Sequence, residues 1–331
     1  MTAAPTNALA QGESAQGYLA DPRNDGVLVY VNGAFVPRDE ARVSIFDSGF
    51  VLGDGIWEGL RLVQGRLISL DAHLDRLYEG ATSIALDLGL TRAELTQALL
   101  DTLAKNAMTD GAHLRLMVTR GVKRTPYQDP RLTVGPATVV IIAEHKEPLS
   151  ATVSDGITLF TTHVRRATPD TLDPKLNAHS KLNDIVACIQ AYTAGADEAL
   201  MLDPHGFVAT CNSTHFFIVR AARDRADAGD GVGGDDAVWT SDGRFCLGGI
   251  TRANVLALCR ANGIEGRETT FSLTDVYGAR EAFVTGTFAG VVPVRTVDGR
   301  TIGTGTRGPV TERLQGLYAA MIERDVTTSR S

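Results

Sequence analysis

The sequence predicts a two-domain α+β protein, and three observations carry that prediction. The chain has 331 residues, about twice the ~150 residues of an ordinary domain. Short β-type runs bounded by glycine turns are interleaved with longer segments whose apolar residues recur at helical spacing. A strong β series also ends near His145 and a second begins at Ile157. These boundaries give a flexible N-terminal tail over 1–25, a small α+β domain over 26–146 and a larger domain over 147–331.

In chain order, Val27 to Val31 and Ala34 to Val36 flank Asn32-Gly33, the signature of a type I′ hairpin. Arg42 to Phe46 reads as a further short strand and Gly49 to Gly55 as a glycine-spaced turn. Ile56 to Val63 is a strand, and a helix begins at Asp71. Thr91 with Glu94 three residues on forms a capping box for the next helix. Leu114 to Thr119 and Ala137 to Ala143 are strongly β, separated by the basic loop 120–135. In the second half, Ile157 to Val164 is a strand, and 221–237, rich in Asp, Gly and Ala, reads as a mobile surface insertion.

Composition narrows the function classes. A net charge of -7 with 44% hydrophobic and 21% charged residues describes an ordinary globular protein, and disfavours nucleic-acid or anionic-membrane partners. No apolar run is long enough to span a bilayer, and the first residues lack a basic start and an apolar signal core. Four cysteines without paired spacing fit reduced thiols in a cytoplasm. The seven histidines form no metal-ligand pattern, so no metal is expected.

The stretch Asp173 to Phe217 holds the candidate chemistry. A polar segment leads to Ser180, suited to an N-cap, after which Leu182, Ile185, Val186, Ile189 and Tyr192 recur at helical spacing. Lys181 is placed at the helix start, where the positive end of the dipole favours a neutral amine, the form that attacks an aldehyde. Gly248-Gly249-Ile250-Thr251 precedes another helix, an anion-binding arrangement. Val284 to Gly290 is a second glycine-rich turn. A reactive lysine with two such cradles suggests pyridoxal 5′-phosphate.

The motifs Gly53 to Arg61, His73 to Leu77 with Arg76, Val118 to Gly121, Gly195 to Leu200, Gly248 to Arg252, Gly286-Thr287 and Gly308 to Thr311 follow one another in a specific order. That order resembles the class IV (fold type IV) pyridoxal-phosphate enzymes: branched-chain, D-amino-acid and R-amine transaminases and aminodeoxychorismate lyase. The resemblance implies a small α/β sandwich domain and a larger β-barrel-like domain with helices. It implies a transaminase that moves an amino group between an amino acid or amine and a 2-oxo acid, working as a homodimer or higher oligomer. A lyase of the aminodeoxychorismate type and a catalytically impaired homologue are the alternatives. By the same resemblance Lys181 forms the Schiff base, and Arg76, Gly249, Ile250, Thr251 and Thr287 hold the phosphate. Thr210 meets the pyridine nitrogen, while Arg124, Tyr127, Ala289 and Gly290 face the substrate.

Two positions depart from the pattern. Aligned without gaps from Asp173-Pro174, the family lysine position falls on Asn177, flanked by Lys175 and Lys181. The helix-start argument favours Lys181, with Lys175 the alternative. Thr210 stands where relatives carry a glutamate, and a hydroxyl can hydrogen-bond to the ring but cannot supply a charge.

Overall fold

The computed structural model describes residues 15–221 and 236–328. Most of the expected tail, 1–14, and of the expected insertion, 222–235, lies outside the described residues. The described end of the tail is packed: Ala15 is buried in a core, Asp21 caps Arg23, and Pro22–Gly26 forms a 3-10 helix. Two compact units result. The smaller comprises Ala20–Glu147, Leu176–Lys181 and Ile322–Ser331, and the larger comprises Met1–Leu19, Pro148–Lys175 and Leu182–Met321. A continuous domain over 147–331 is therefore corrected, because Leu176–Lys181 sorts with the smaller unit.

In the smaller unit, β1 (Leu28–Val31), β2 (Ala34–Pro37), α1 (Ser48–Leu52), β3 (Gly55–Val63), β4 (Arg66–Leu67), α2 (Leu70–Ser83), α3 (Arg92–Lys105), β5 (Ala112–Thr119) and β6 (Thr138–His145) follow in order. The strands make one antiparallel sheet, β2-β1-β6-β5-β3-β4. Asn32 and Gly33 both take positive φ, as the hairpin signal requires. Thr91 and Glu94 form the capping box. Leu60, Leu62, Leu114, Leu116 and Ile141 on one sheet face bury against Leu74, Leu77, Leu95 and Leu99 of the helices. Residues 42–46 form no strand, and 48–52 form a helix where a turn was expected. Asp47 accepts from the Gly49 N–H at its start, and Gly53 closes it at φ 70°.

The larger unit runs α4 (Ser150–Asp155), β7 (Ile157–Thr161), α5 (Pro169–Leu172), α6 (Leu182–Thr193), β8 (Glu198–Leu202), β9 (Val208–Cys211), β10 (His215–Ala221), β11 (Asp236–Thr240), α7 (Ile250–Ala261), β12 (Glu265–Glu268), α8 (Leu273–Tyr277), β13 (Glu281–Gly286), β14 (Gly290–Val297), β15 (Arg300–Thr301) and α9 (Pro309–Thr328), the end of which, from Ile322, sorts with the smaller unit. Its strands form one mixed sheet, β12-β11-β10-β13-β14-β7-β8-β9, with β15 on β14. The Cys211 N–H donates to the Thr214 carbonyl across the tight β9–β10 turn, which brings the end strand back to the middle of the path and curls the sheet into a half-barrel. The expected fold class, α+β with a barrel-like larger domain, is met. No helix among the described residues is long and apolar enough to cross a membrane.

Gly308-Pro-Val-Thr opens α9 for a reason the sequence did not disclose. Buried Glu281 accepts from the N–H groups of Val310 and Thr311 at 2.9 and 2.8 Å and from the Thr311 hydroxyl at 2.7 Å. It caps the helix start with a charge of the favourable sign. A Cβ on Gly308 would lie 2.1 Å from the Glu281 carboxyl carbon. Gly308→Ala is expected to cost about 1–3 kcal/mol through that overlap, measured as a lower urea midpoint at unchanged slope.

Candidate active site

The smaller unit supplies the first group of side chains. Arg76 sits on α2 three residues after His73, so both project from one helix face toward β3. Glu58 points from β3 into the core between Ile56 and Leu60 and is fully buried. The Arg76 Nε and Nη2 donate to its two oxygens, each at 2.7 Å, and His73 Nδ1 lies 2.7 Å from Oε2. Burial alone would raise the Glu58 pKa, but the bonds from His73 and Arg76, with their charges, outweigh it and hold the carboxyl below its usual value. The bidentate pair fixes the plane of the Arg76 guanidinium.

Beside it runs Leu176–Lys181. The Trp57 N–H donates to Asn177 O, the His179 N–H to Gly55 O, and Asn177 Nδ2 to Trp57 O at 2.6 Å. The segment thus lies along β3 in a strand-like register. Asn177 is buried and its Oδ1 meets no partner. Lys175 is exposed. Lys181 is half-buried with its Nζ 5.8 Å from the Trp57 ring centroid. It directly precedes α6 instead of opening it, and the Ser180 hydroxyl donates to Gly53 O. Within α6 the inward residues are Ala187 and Ala191, while Leu182, Ile185, Val186, Ile189 and Tyr192 stay exposed.

Arg115 stacks on the same tryptophan, 4.1 Å from its centroid. Burial depresses its pKa, partly offset by Glu144, and no ion pair of Arg115 occurs among the described residues. Its neighbour two residues back, His113, is pushed down to about 3 by burial together with the charges of Lys146 and Arg115, so its ring is neutral. Neither residue was singled out from the sequence. The available signal was the alternation along Ala112–Thr119: Leu114, Leu116 and Val118 enter the core, which puts His113 and Arg115 on the opposite face with Trp57. Arg124 and Tyr127, expected at the substrate, are exposed on the loop after β5, and the structure does not bring them to the others.

The larger unit supplies the second group, arranged around β10. Thr210 is buried and its hydroxyl donates to Thr214 O at 2.9 Å. His215 pairs with Thr285 across to β13, and its Nε2 lies 2.7 Å from Leu247 O. That ring forms the floor of the Gly248-Gly249 turn, where a Cβ on Gly249 would lie 2.3 Å from it. Gly249 precedes α7 and no side chain caps the helix start. The first N–H groups of Ile250 and Thr251 therefore have no helical carbonyl to bond, and the positive dipole end suits an anion such as a phosphate. Gly286, next to Thr214, leads into the turn Thr287-Phe288-Ala289, and Gly290 starts β14 at φ 71°. Thr210, Gly249, Ile250, Thr251, Thr287, Ala289 and Gly290 are thus gathered within one unit.

Because the folded-state Glu58 pKa lies below its 4.5 reference value, its contribution to stability is present above that value and is lost as pH falls through the folded value. Glu58→Gln is expected to lower stability at neutral pH by about 3–5 kcal/mol. The gap from wild type should shrink below pH 4.5, as urea unfolding at several pH values would show.

The chain matches the family model "Amino-transferase class IV" over residues 55–297. It is 38% identical over 92% of its length to branched-chain-amino-acid aminotransferase-like protein 2 of Arabidopsis thaliana, and covers 52% of that protein. It thus spans about half the length of the first curated relatives it matches. It is 34% identical to the branched-chain-amino-acid aminotransferase of Pseudomonas aeruginosa, over 90% of this chain and 93% of that one. Among solved structures it is similar to the T.th. branched-chain amino acid aminotransferase complexed with N-(5′-phosphopyridoxyl)-L-glutamate. That likeness has a TM-score of 0.79 at 29% identity, covering 92% of this chain and 95% of the other. On this match and this architecture, the chain belongs to the class IV aminotransferase family.

Proposed function

We propose that the protein is a pyridoxal 5′-phosphate-dependent aminotransferase acting on an amino acid or amine and a 2-oxo acid. The observation that carries this reading is the start of α7, left without a side-chain cap at Gly249 and floored by His215, which follows the Thr214 that Thr210 bonds. Free N–H groups at a helix start suit a phosphate, and a threonine hydroxyl suits a ring nitrogen. Ile250, Thr251 and Thr287 would hold the phosphate, and Thr210 would meet the ring nitrogen. When bound, the group supplies a ring that takes up negative charge from the substrate carbon.

The chain's own residues would do the rest. Lys181 is the amine that holds the cofactor and later moves the proton at the substrate carbon, a task that needs its neutral form. Arg115, stacked on Trp57, would take the substrate carboxylate. The Ala289 and Gly290 backbone would line the substrate. The exposed apolar residues of α6 support a homodimer in which this helix is covered. Four free cysteines support a cytoplasmic setting. A second reading, a cofactor-binding homologue without turnover, is favoured by one observation: the buried amide of Asn177 stands at the position where relatives carry the lysine.

Borohydride reduction of protein loaded with pyridoxal 5′-phosphate, followed by peptide mass mapping, separates these readings. The adduct is expected on Lys181, lost in Lys181→Ala and kept in Lys175→Ala. An adduct on Lys175 would overturn the assignment, and binding without any adduct or amino transfer would support the second reading. Arg115→Gln is expected to raise KM for the 2-oxo acid by about 10- to 100-fold, the worth of a charged hydrogen bond, in steady-state assays.

A further inference from the structure

We propose that the Glu198 carboxyl is a proton-operated catch for segment 15–19, holding it on the larger unit when neutral and letting it lift when ionised. No ligand is needed for this, so it goes beyond the cofactor reading above.

Leu200 pairs with Cys211 between β8 and β9, so Glu198, two residues back, lies on their sheet face and across from Ser213. Leu200 and Cys211 belong to the core of the larger unit, and Ala15 is packed into that same core. Glu198 and Ala15 are each 1% exposed. The segment is seated at three points. The Ala15 N–H lies beside the carboxyl, the Gly17 carbonyl accepts from the Leu149 N–H at 3.4 Å, and Tyr18 packs on the core. An acidic group that water does not reach therefore lies beneath a short piece of chain held by few contacts.

The groups facing Glu198 offer hydrogen bonds but no counter-charge. The Thr214 hydroxyl donates to Oε2 at 2.7 Å. Oε1 has no partner in hydrogen-bond geometry, with the Ser213 hydroxyl close by. Asp197, next to it on the chain, adds a like charge. Cys211 on β9 and Cys188 on α6 face it as thiols that burial and the Glu198 charge push up, so neither is a counter-ion. From β7 its paired residue is Leu159, which is apolar. Burial first, then Asp197, raises the carboxyl to about 7 against the pull of the Thr214, Ser213 and Ala15 donors.

Lifting 15–19 admits water to the carboxyl and returns it toward its ordinary 4.5. The seated state therefore holds the proton more tightly than the lifted one. Seating is strongest below 4.5 and weakens as pH rises through 7. Linkage between those two values makes the opening constant rise about tenfold from about pH 6 to about pH 8.

Hydrogen exchange read by mass spectrometry on the full chain tests this, with rates corrected for the intrinsic effect of pH on each amide. Protection of 15–19 is expected to fall about tenfold from about pH 6 to about pH 8, while that of β5 stays constant. Glu198→Gln, similar in shape and unable to ionise, should keep the same protection of 15–19 at both. No fall in the wild type, or an equal fall in Glu198→Gln, would overturn the proposal. Should Glu198→Gln not fold, the wild type decides against its own reference strand. A fall confined to 15–19 supports the catch, and an equal fall in β5 refutes it.

Discussion

One buried carboxylate, Glu58, governs how the smaller unit presents its chemistry. It occupies a core position of β3, between residues that are wholly aliphatic, and such a site is hostile to a lone charge. The penalty is met by two donors that α2 supplies three residues apart, His73 and Arg76. The pair of contacts sets the rotation of α2 on the sheet as well as its height. Arg76 is therefore aimed by an ion cluster and not by the flexibility of a surface side chain. A motif that reads in the sequence as a basic helix residue is, in three dimensions, one corner of a rigid triangle.

The glycine motifs of the larger unit have a similar origin. In the sequence they mark turns, which is correct but incomplete. Gly308 is small because a carboxylate caps the helix that follows, and Gly249 is small because an imidazole lies beneath it. The partner in each case comes from a different strand, Glu281 on β13 or His215 on β10. Turn chemistry is local and can be read along the chain, whereas the identity of the crowding neighbour depends on sheet order.

The same distinction explains how much of the site was legible. The hairpin at Asn32-Gly33, the Thr91 capping box and the helix start at Gly249-Ile250 are local signals and survive intact. Strand 42–46 and the turn at 49–55 failed because Asp47 and Gly53 cap a five-residue helix too short to show periodicity. Arg124 and Tyr127 drew notice for their loop, yet the arginine stacked on Trp57 is Arg115, inside a strand whose alternation only gains meaning once its core face is known. The α6 stripe was legible as a stripe. Its direction was not, because small alanines, and not the large residues, let the helix approach β8 closely.

The close fit of Gly249 over His215 also means that these two positions are not independent letters. A side chain at 249 is admissible only if the ring at 215 shrinks, and a smaller residue at 215 removes the floor that orients the turn. Substitutions at either site should therefore be judged in pairs, and descendants of this chain should change both together or neither.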